Sequence, residues 1–520
     1  MAIKLNKEES IFRNELIFAA DAKAVNIDHT MVNLFMLLKH NGIRPKQRAR
    51  SGSKTFIDIE TLKKVFSKLE EEGSIKGFKE YPEAAELWMR SNLVNLVSRG
   101  NVDKEKISSL RPIHLESYRV RNAHITRDYF SADQVYLMLG ANPKVKEELK
   151  NFLIEGWDQI TSQINYSHEL DVDSLGLLHI IKNVKPGFLE SSSNLNQIHP
   201  LLQSQAELFC DDVRRLLVYK RLIPRNVLID YLRTITSFHL SIYIQKLIHF
   251  LPRMVEKGTT EIVDDWSIVL DTTDDHESKV AKIAVEDADN LTNKIYDYIK
   301  STFQINAALR RMKLFKNNSD NLRKALSALK EKPAEFEMYF ETQWDNLYNS
   351  LEEDDKLLIE DMVKYEDTYF DRYIELILKA RGTYQYRFHI QLVDNLSQKN
   401  NERGFMAQGR SRKQPRRFVL GTRLLEALVQ ILVLESGDKD FYTKSLSIEE
   451  LVEKMRNRYG LAINGLNEPR FANADVQTHL AFKENMEALK MKLRQIGFYN
   501  DLSDAYILQR IRPRYELNAL

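Results

Sequence analysis

Residues 224–252, PRNVLIDYLRTITSFHLSIYIQKLIHFLP, constrain the fold more than any other stretch of this sequence. Leu228, Tyr231, Leu232, Ile235, Phe238, Ile242 and Leu247 recur mostly at three- and four-residue steps, which makes a wide apolar stripe on a helix. Such a helix has to be covered by other elements. Pro224 suits a first helical position and Pro252 is expected just past the end. His239 and His249 lie near the stripe, but ten residues do not bring two imidazoles together on one helix. They read as packed or hydrogen-bonded groups rather than ligands. The same periodicity runs through most of the chain, and glycine (18) and proline (12) are scarce for 520 residues. The expected class is therefore mainly α: a multi-domain helical protein with few short strands and a C-terminal winged helix-turn-helix.

The length allows roughly two to four domains. Four regions are expected: a helical domain over 1–100, open to a winged-helix-like reading; a central helical domain over 101–330 with a short strand near 266–270; an acidic then basic helical segment over 331–400; and a basic arm plus winged helix over 401–520. With 43% hydrophobic and 29% charged residues the chain reads as globular. A net charge of +2 gives no bulk attraction to DNA or membrane, so such affinity must come from local patches. Cys210 is the only cysteine, so an intrachain disulfide is impossible; in AELFCDDVRRLL it reads as a small buried hydrophobe. MAIKLNKEESIFRNEL is too charged for a secretory signal, and the most apolar helix is bracketed by Arg233 and Lys246. These features predict a cytoplasmic protein with no membrane partner.

DDWSIVLDTTDDHESKVAKIAVEDADNL predicts a strand over 266–270, an acidic turn and a long helix. Asp271, Asp274 and Asp275, with Glu277, are hard oxygen groups of the kind that bind divalent cations. Capping the exposed amides of the following helix is the plainer role, and the spacing lacks the glycine of an EF-hand loop. No metal site is assigned.

Charge then separates. Acids dominate residues 335–375, whereas cations dominate 381–423, with Asp394 and Glu402 the only acids there. Within the basic block, GRSRKQPRRF crowds Arg410, Arg412, Lys413, Arg416 and Arg417 around one proline. A helix is expected over 418–434. Ser447 and Glu450 make a capping box for a second helix, with Leu446 and Leu451 at the staple positions and Gly460 as its stop. A third helix over 475–496 carries Phe482, Met486, Leu489, Leu493 and Ile496 on one stripe and Lys483, Lys490 and Arg494 elsewhere. An extended run over 505–512 follows, with Arg510, Arg512 and Arg514 at its end. Three helices and a hairpin are the order of a winged helix, whose third helix can enter a major groove while the wing touches phosphates. The same module also docks proteins. A secondary basic loop, NGIRPKQRARSGSKTF, holds Arg44, Lys46, Arg48, Arg50 and Lys54. Its GSKT lacks the glycine directly before lysine that a phosphate loop needs.

No HExxH, paired CxxC, G-x-S-x-G or G-x-G-x-x-G element occurs, and neither a catalytic residue nor a cofactor is indicated. RYIELILKARGTYQYRFHIQLVDNLSQKNNERGFMAQGRSRKQPRRFVLGTRLLEALVQILVL (372–434) resembles large helical accessory proteins of prokaryotic antiviral operons, including methylation-associated defence systems. LIPRNVLIDYLRTITSFHLSIYIQKL and WSIVLD with its acidic turn agree with that resemblance, which spans roughly residues 200–520. It implies a subunit working beside other products of its operon, and no catalytic residue carries over. Three functions follow as expectations: a non-enzymatic DNA-binding or DNA-sensing subunit; a scaffold for an ATPase, nuclease or methyltransferase; and, last, a metal-dependent enzyme using the residues from Asp271 to Asp275. Homo-oligomerisation is left open.

Overall fold

A computed structural model describes residues 3, 5–47, 58–97, 105–122, 124–167, 170–183, 188–189, 194–314, 318–411, 414–437, 440–499 and 510–518. Helices dominate them, and the strands are two to five residues long. The chain divides into two compact units built from non-adjacent stretches. One comprises Met1–Ala24, Gln197–Gln205 and Ser237–Leu520; the other comprises Val25–Asn196 and Ala206–Thr236.

In the second unit, helix Ile27–Lys39 is buried along almost its whole length and packs on the short helix Leu115–Arg119 and on Ser131–Leu139. Asn26 caps it, its side chain accepting from the amides of Asp28 and His29. Strands Val94–Val97 and Lys106–Leu110 form an antiparallel pair with a register shift at Asn95/Leu96. Cys210 is 1% exposed and its thiol is pushed up to about 12 by burial, consistent with a packing role.

The first unit is organised around helix Lys279–Arg311. Ser278 caps its start, the hydroxyl accepting from the Ala281 amide at 3.0 Å. Buried Val280, Ala284, Ala288, Leu291, Ile295 and Ile299 follow helical spacing. Onto this helix pack Tyr369–Leu396, Asp320–Glu331, strand Arg417–Phe418 and helix Val476–Gln495. The expected strand over 266–270 narrows to Ile268–Val269, which pairs in parallel with Leu461–Ala462. Two residues later Asp271 bridges Val419 in parallel, and its amide donates to the Phe418 carbonyl at 3.0 Å. The segment thus lies between two chain segments from far later in the sequence.

Helix Arg225–Lys257 runs through Pro252 instead of stopping before it. Proline removes one backbone donor, but Leu247, Ile248, Leu251 and Met254 are all buried on either side. Their packing outweighs that lost bond, and Gly258 at φ +70° makes the actual stop. The C-terminal helices follow their sequence signals closely. Ser447 and Glu450 form the capping box of Ile448–Tyr459, and Gly460 ends it at φ +73°. The expected helix over 418–434 is shorter, Thr422–Leu432, because Phe418 belongs to a strand.

Candidate functional site

Strands Met406–Ala407 and Arg417–Phe418 pair antiparallel, so the basic run is the loop of a β-hairpin. Arg410 lies in that loop, exposed and without a side-chain partner among the described residues. Arg412 and Lys413 lie outside the described residues. Arg416 makes a two-pronged pair with Asp394, Nε to Oδ1 at 2.9 Å and Nη2 to Oδ2 at 3.0 Å. The Asp394 carboxylate raises the Arg416 pKa against the opposing effect of burial. Lys399 shares the same carboxylate at 2.5 Å. Arg417 turns inward, its Nε donating to Asp271 Oδ2 at 2.9 Å; Asp271 is 0% exposed.

This pair joins two of the candidate residues to each other. Asp271 Oδ1 already accepts from the Thr273 amide at 2.9 Å and the Thr273 hydroxyl at 2.6 Å. Both carboxylate oxygens are therefore occupied by the turn and by Arg417. Asp274 pairs with Lys492 at 2.7 Å, and Asp275 Oδ1 accepts from the Glu277 amide. Among the described residues, no three His, Cys, Asp or Glu side chains converge as a cation would require.

Helix Val476–Gln495 buries Phe482, Leu489 and Leu493. Between them sits Asn485, unremarked in the sequence, whose amide is a fully buried hub. Its nitrogen donates to the carbonyls of Leu270 and Ile463 at 2.9 and 2.8 Å, and its Oδ1 accepts from the Thr272 amide at 2.8 Å. A lone polar residue interrupting an apolar stripe was the available signal. The hub turns the opposite face to solvent, where Lys483 and Arg494 are exposed beside Glu484 and Glu487. Lys490 is tied to Glu487 at 2.7 Å. Arg494 lies against Tyr499 and the Met491 sulfur.

Past the residues outside the description, Ile511 bridges both Tyr499 and Leu446 antiparallel. Arg510 and Arg512 flank it and are exposed. Arg514 instead pairs with Glu426, donates to the Ile496 carbonyl at 2.8 Å and covers the Phe498 ring. In the other unit, Arg44 is held by Asp128 and Asp133 at 2.7–3.1 Å. Burial alone would lower its pKa, but the two carboxylates raise it. It is a structural guanidinium. Lys46 has its backbone in a short strand pair with Leu189, and Arg48, Arg50 and Lys54 lie outside the described residues.

These observations define a mainly helical protein in which several candidate cations lock elements together while Arg410, Lys483, Arg494, Arg510 and Arg512 face solvent. No helix among the described residues is long and apolar enough to cross a membrane. Comparison with known families matches residues 7–515 to the family described as Methylation-associated defense system protein MAD7, and the chain belongs to that family. It is thus a component of a methylation-associated defence system, and the likeness extends well beyond the stretch over 200–520 that first carried it. No curated protein matches the chain.

Proposed function

We propose that this protein is a non-enzymatic DNA-binding or DNA-sensing subunit of its defence system, contacting DNA through its C-terminal segment. The carrying observation is the set of exposed cations there: Lys483 on the third helix, and Arg510 and Arg512 on either side of Ile511, which bridges Tyr499 and Leu446. Helices Thr422–Leu432, Ile448–Tyr459 and Val476–Gln495 with those two bridges follow the connectivity of a winged helix, which supports that reading of the module. Arg410 extends the set from the neighbouring hairpin loop. Arg416, Arg417, Lys490 and Arg514 then act by holding the surface in shape, because their charges are already engaged. Contacts of this kind are to phosphates and give affinity that falls steeply with salt. Titration of a labelled duplex at several salt concentrations tests the proposal; absence of binding at low salt overturns it.

A second reading, a scaffold for other subunits, is favoured by a different surface. Helices Ala334–Asn349 and Glu353–Val363 are rich in acids, yet Met338, Leu357 and Leu358 are more than 60% exposed, and Tyr365 just beyond them is 82% exposed. Apolar groups left in water amid acids suit a protein partner better than DNA. Co-purification with the products of neighbouring genes tests it; a chain that purifies alone counts against it.

A further inference from the structure

The separation of charge along the chain is not neutralised inside the fold. Among the described residues, Lys399 and Arg416 pair with Asp394, Arg417 with Asp271 and Arg423 with Glu426. No acid of 335–361 is paired to that basic block among the described residues. Glu341, Asp345, Glu352 and Asp354 are exposed, and their side chains have no partner among those residues. The acids face solvent.

Helix Glu353–Val363 is where this charge meets uncovered apolar surface. The helix buries only Ile359 and Val363. Asp354, Leu357, Leu358 and Asp361 stand at i, i+3, i+4 and i+7, so they share the opposite face. There the two leucines are 69% and 63% exposed, with a carboxylate one turn to either side. First-turn acids suit the positive end of their own helix, so Asp354 alone would say little. Glu360 and Asp361 lie in the last turn, where the dipole disfavours negative charge and no basic residue stands. Lys364, just past the end, reaches Asp361 at 2.7 Å, but both side chains are exposed and such a pair contributes little. Neither the leucines nor these late acids are explained by the packing of their own helix.

We propose that this face docks a basic amphipathic helix of another protein of the defence system. Its apolar residues cover Leu357 and Leu358, and its lysines or arginines, about seven residues apart, meet Asp354 and Asp361. The inference rests on the scaffold reading above and gives the partner its chemistry. Charge decides against other occupants. A phosphate backbone or an anionic membrane surface would be repelled, and a second copy presenting this same face would set acid against acid. An apolar partner without cations would cover carboxylates and offer them no counter-charge. At 1.5 Å per residue the helix is about 16 Å long, so the contact is about three turns.

The test uses the full chain co-expressed with the products of its neighbouring genes. A photo-crosslinking p-benzoylphenylalanine in place of Leu357 should join one neighbour, and peptide mass spectrometry should place the join in a helix-forming segment of net positive charge. Asp354→Lys with Asp361→Lys should loosen the purified complex about 10-fold or more. The free chain should keep its thermal stability, because both positions are exposed and the two changes act on the helix dipole in opposite directions. Exchanging the facing cations of the crosslinked segment for glutamate should then restore binding. The complex of natural chains should weaken as sodium chloride rises from about 0.05 to 0.5 M. If no neighbour co-purifies, the scaffold reading and this inference fall together. A neighbour may be retained while the crosslink lands on an acidic or uncharged segment, on a second copy of this chain or nowhere, or while the doubly substituted chain binds as tightly as the natural one. Any of these overturns this inference alone, and the scaffold then works through another surface.

Discussion

Arg417→Ala separates a structural cation from a DNA contact. In the folded chain the Asp271 carboxylate is shut from water and receives three donors, two from Thr273 and one from Arg417. Arg417 itself is 13% exposed, so solvent screens the pair little. Removing the guanidinium leaves a buried carboxylate with its turn intact and its counter-charge gone, a change worth about 3–5 kcal/mol. A chain of two units need not unfold in one step, so the local opening of residues 268–272 is the quantity to measure, by amide hydrogen exchange. The amides of Val269 and Asp271 should lose protection by two or more orders of magnitude, since about 1.4 kcal/mol is tenfold. Asp271→Asn combined with Arg417→Met should recover much of that loss, because asparagine keeps an acceptor for Thr273 without a charge to compensate. The salt dependence of duplex binding should stay as it was. Unchanged protection, or a salt slope about 0.9 shallower, would mean that Arg417 holds a phosphate and not Asp271.

Replacing Arg410, Lys483, Arg510 and Arg512 together by alanine should leave hydrogen exchange in the core intact and flatten the logarithmic salt slope by up to about 3.6 on duplex DNA; an unaltered slope removes these residues from the interface. Asn485→Leu should destabilise the same strand by several kcal/mol, since it leaves the Leu270 and Ile463 carbonyls and the Thr272 amide unpaired at about 1–3 kcal/mol each; exchange at Thr272 reports it. His389 is pushed down to about 4 by burial, its Nδ1–H donating to the Gln385 carbonyl at 2.8 Å. The unfolded imidazole takes up a proton below about 6.5 and the folded one does not. Its contribution is therefore full above pH 6.5 and is lost at up to about 1.4 kcal/mol per pH unit as pH falls toward 4. Acid unfolding curves of His389→Phe should be correspondingly shallower in that window. Leu357→Asp with Leu358→Asp should abolish co-purification of a partner if the acidic helices form the scaffold surface, with no change in thermal stability because both side chains are already in water.

Local signals carried the last two helices almost to the residue. The Ser447–Glu450 box, the Gly460 stop and the Asp475 cap each act within four residues of themselves, so the sequence contains the whole interaction. Pro252 shows the opposite case. Its local preference is to end a helix, and that preference lost to burial supplied by chain segments that a linear reading does not bring together. The basic run depends on distant segments in a similar way. Five cations around one proline look alike in sequence, but Arg416 faces Asp394 and Arg417 faces Asp271, 22 and 146 residues away. Asp271 was readable as a capping or metal group and not as the partner of an arginine in another hairpin. His249 was correctly read as a hydrogen-bonded histidine, whereas the Lys294 and Asp265 that orient it, and the Gln245 amide beside it, come together only in the fold.

Asn485 also governs when this unit can exist during synthesis. The strand it clamps is made early, but the clamp lies 213 residues from Thr272, and the strand's parallel neighbour Leu461–Ala462 is nearly as distant. Until those residues leave the ribosome, Ile268 and Val269 expose an open edge of two β-branched side chains with no pairing partner. Contacts this remote form slowly once the chain is free. A translation stall or a proteolytic cut before Leu461 would therefore release a fragment prone to association rather than a smaller working subunit, and the cell would depend on completed synthesis, or on a holding chaperone, to keep the nascent protein soluble.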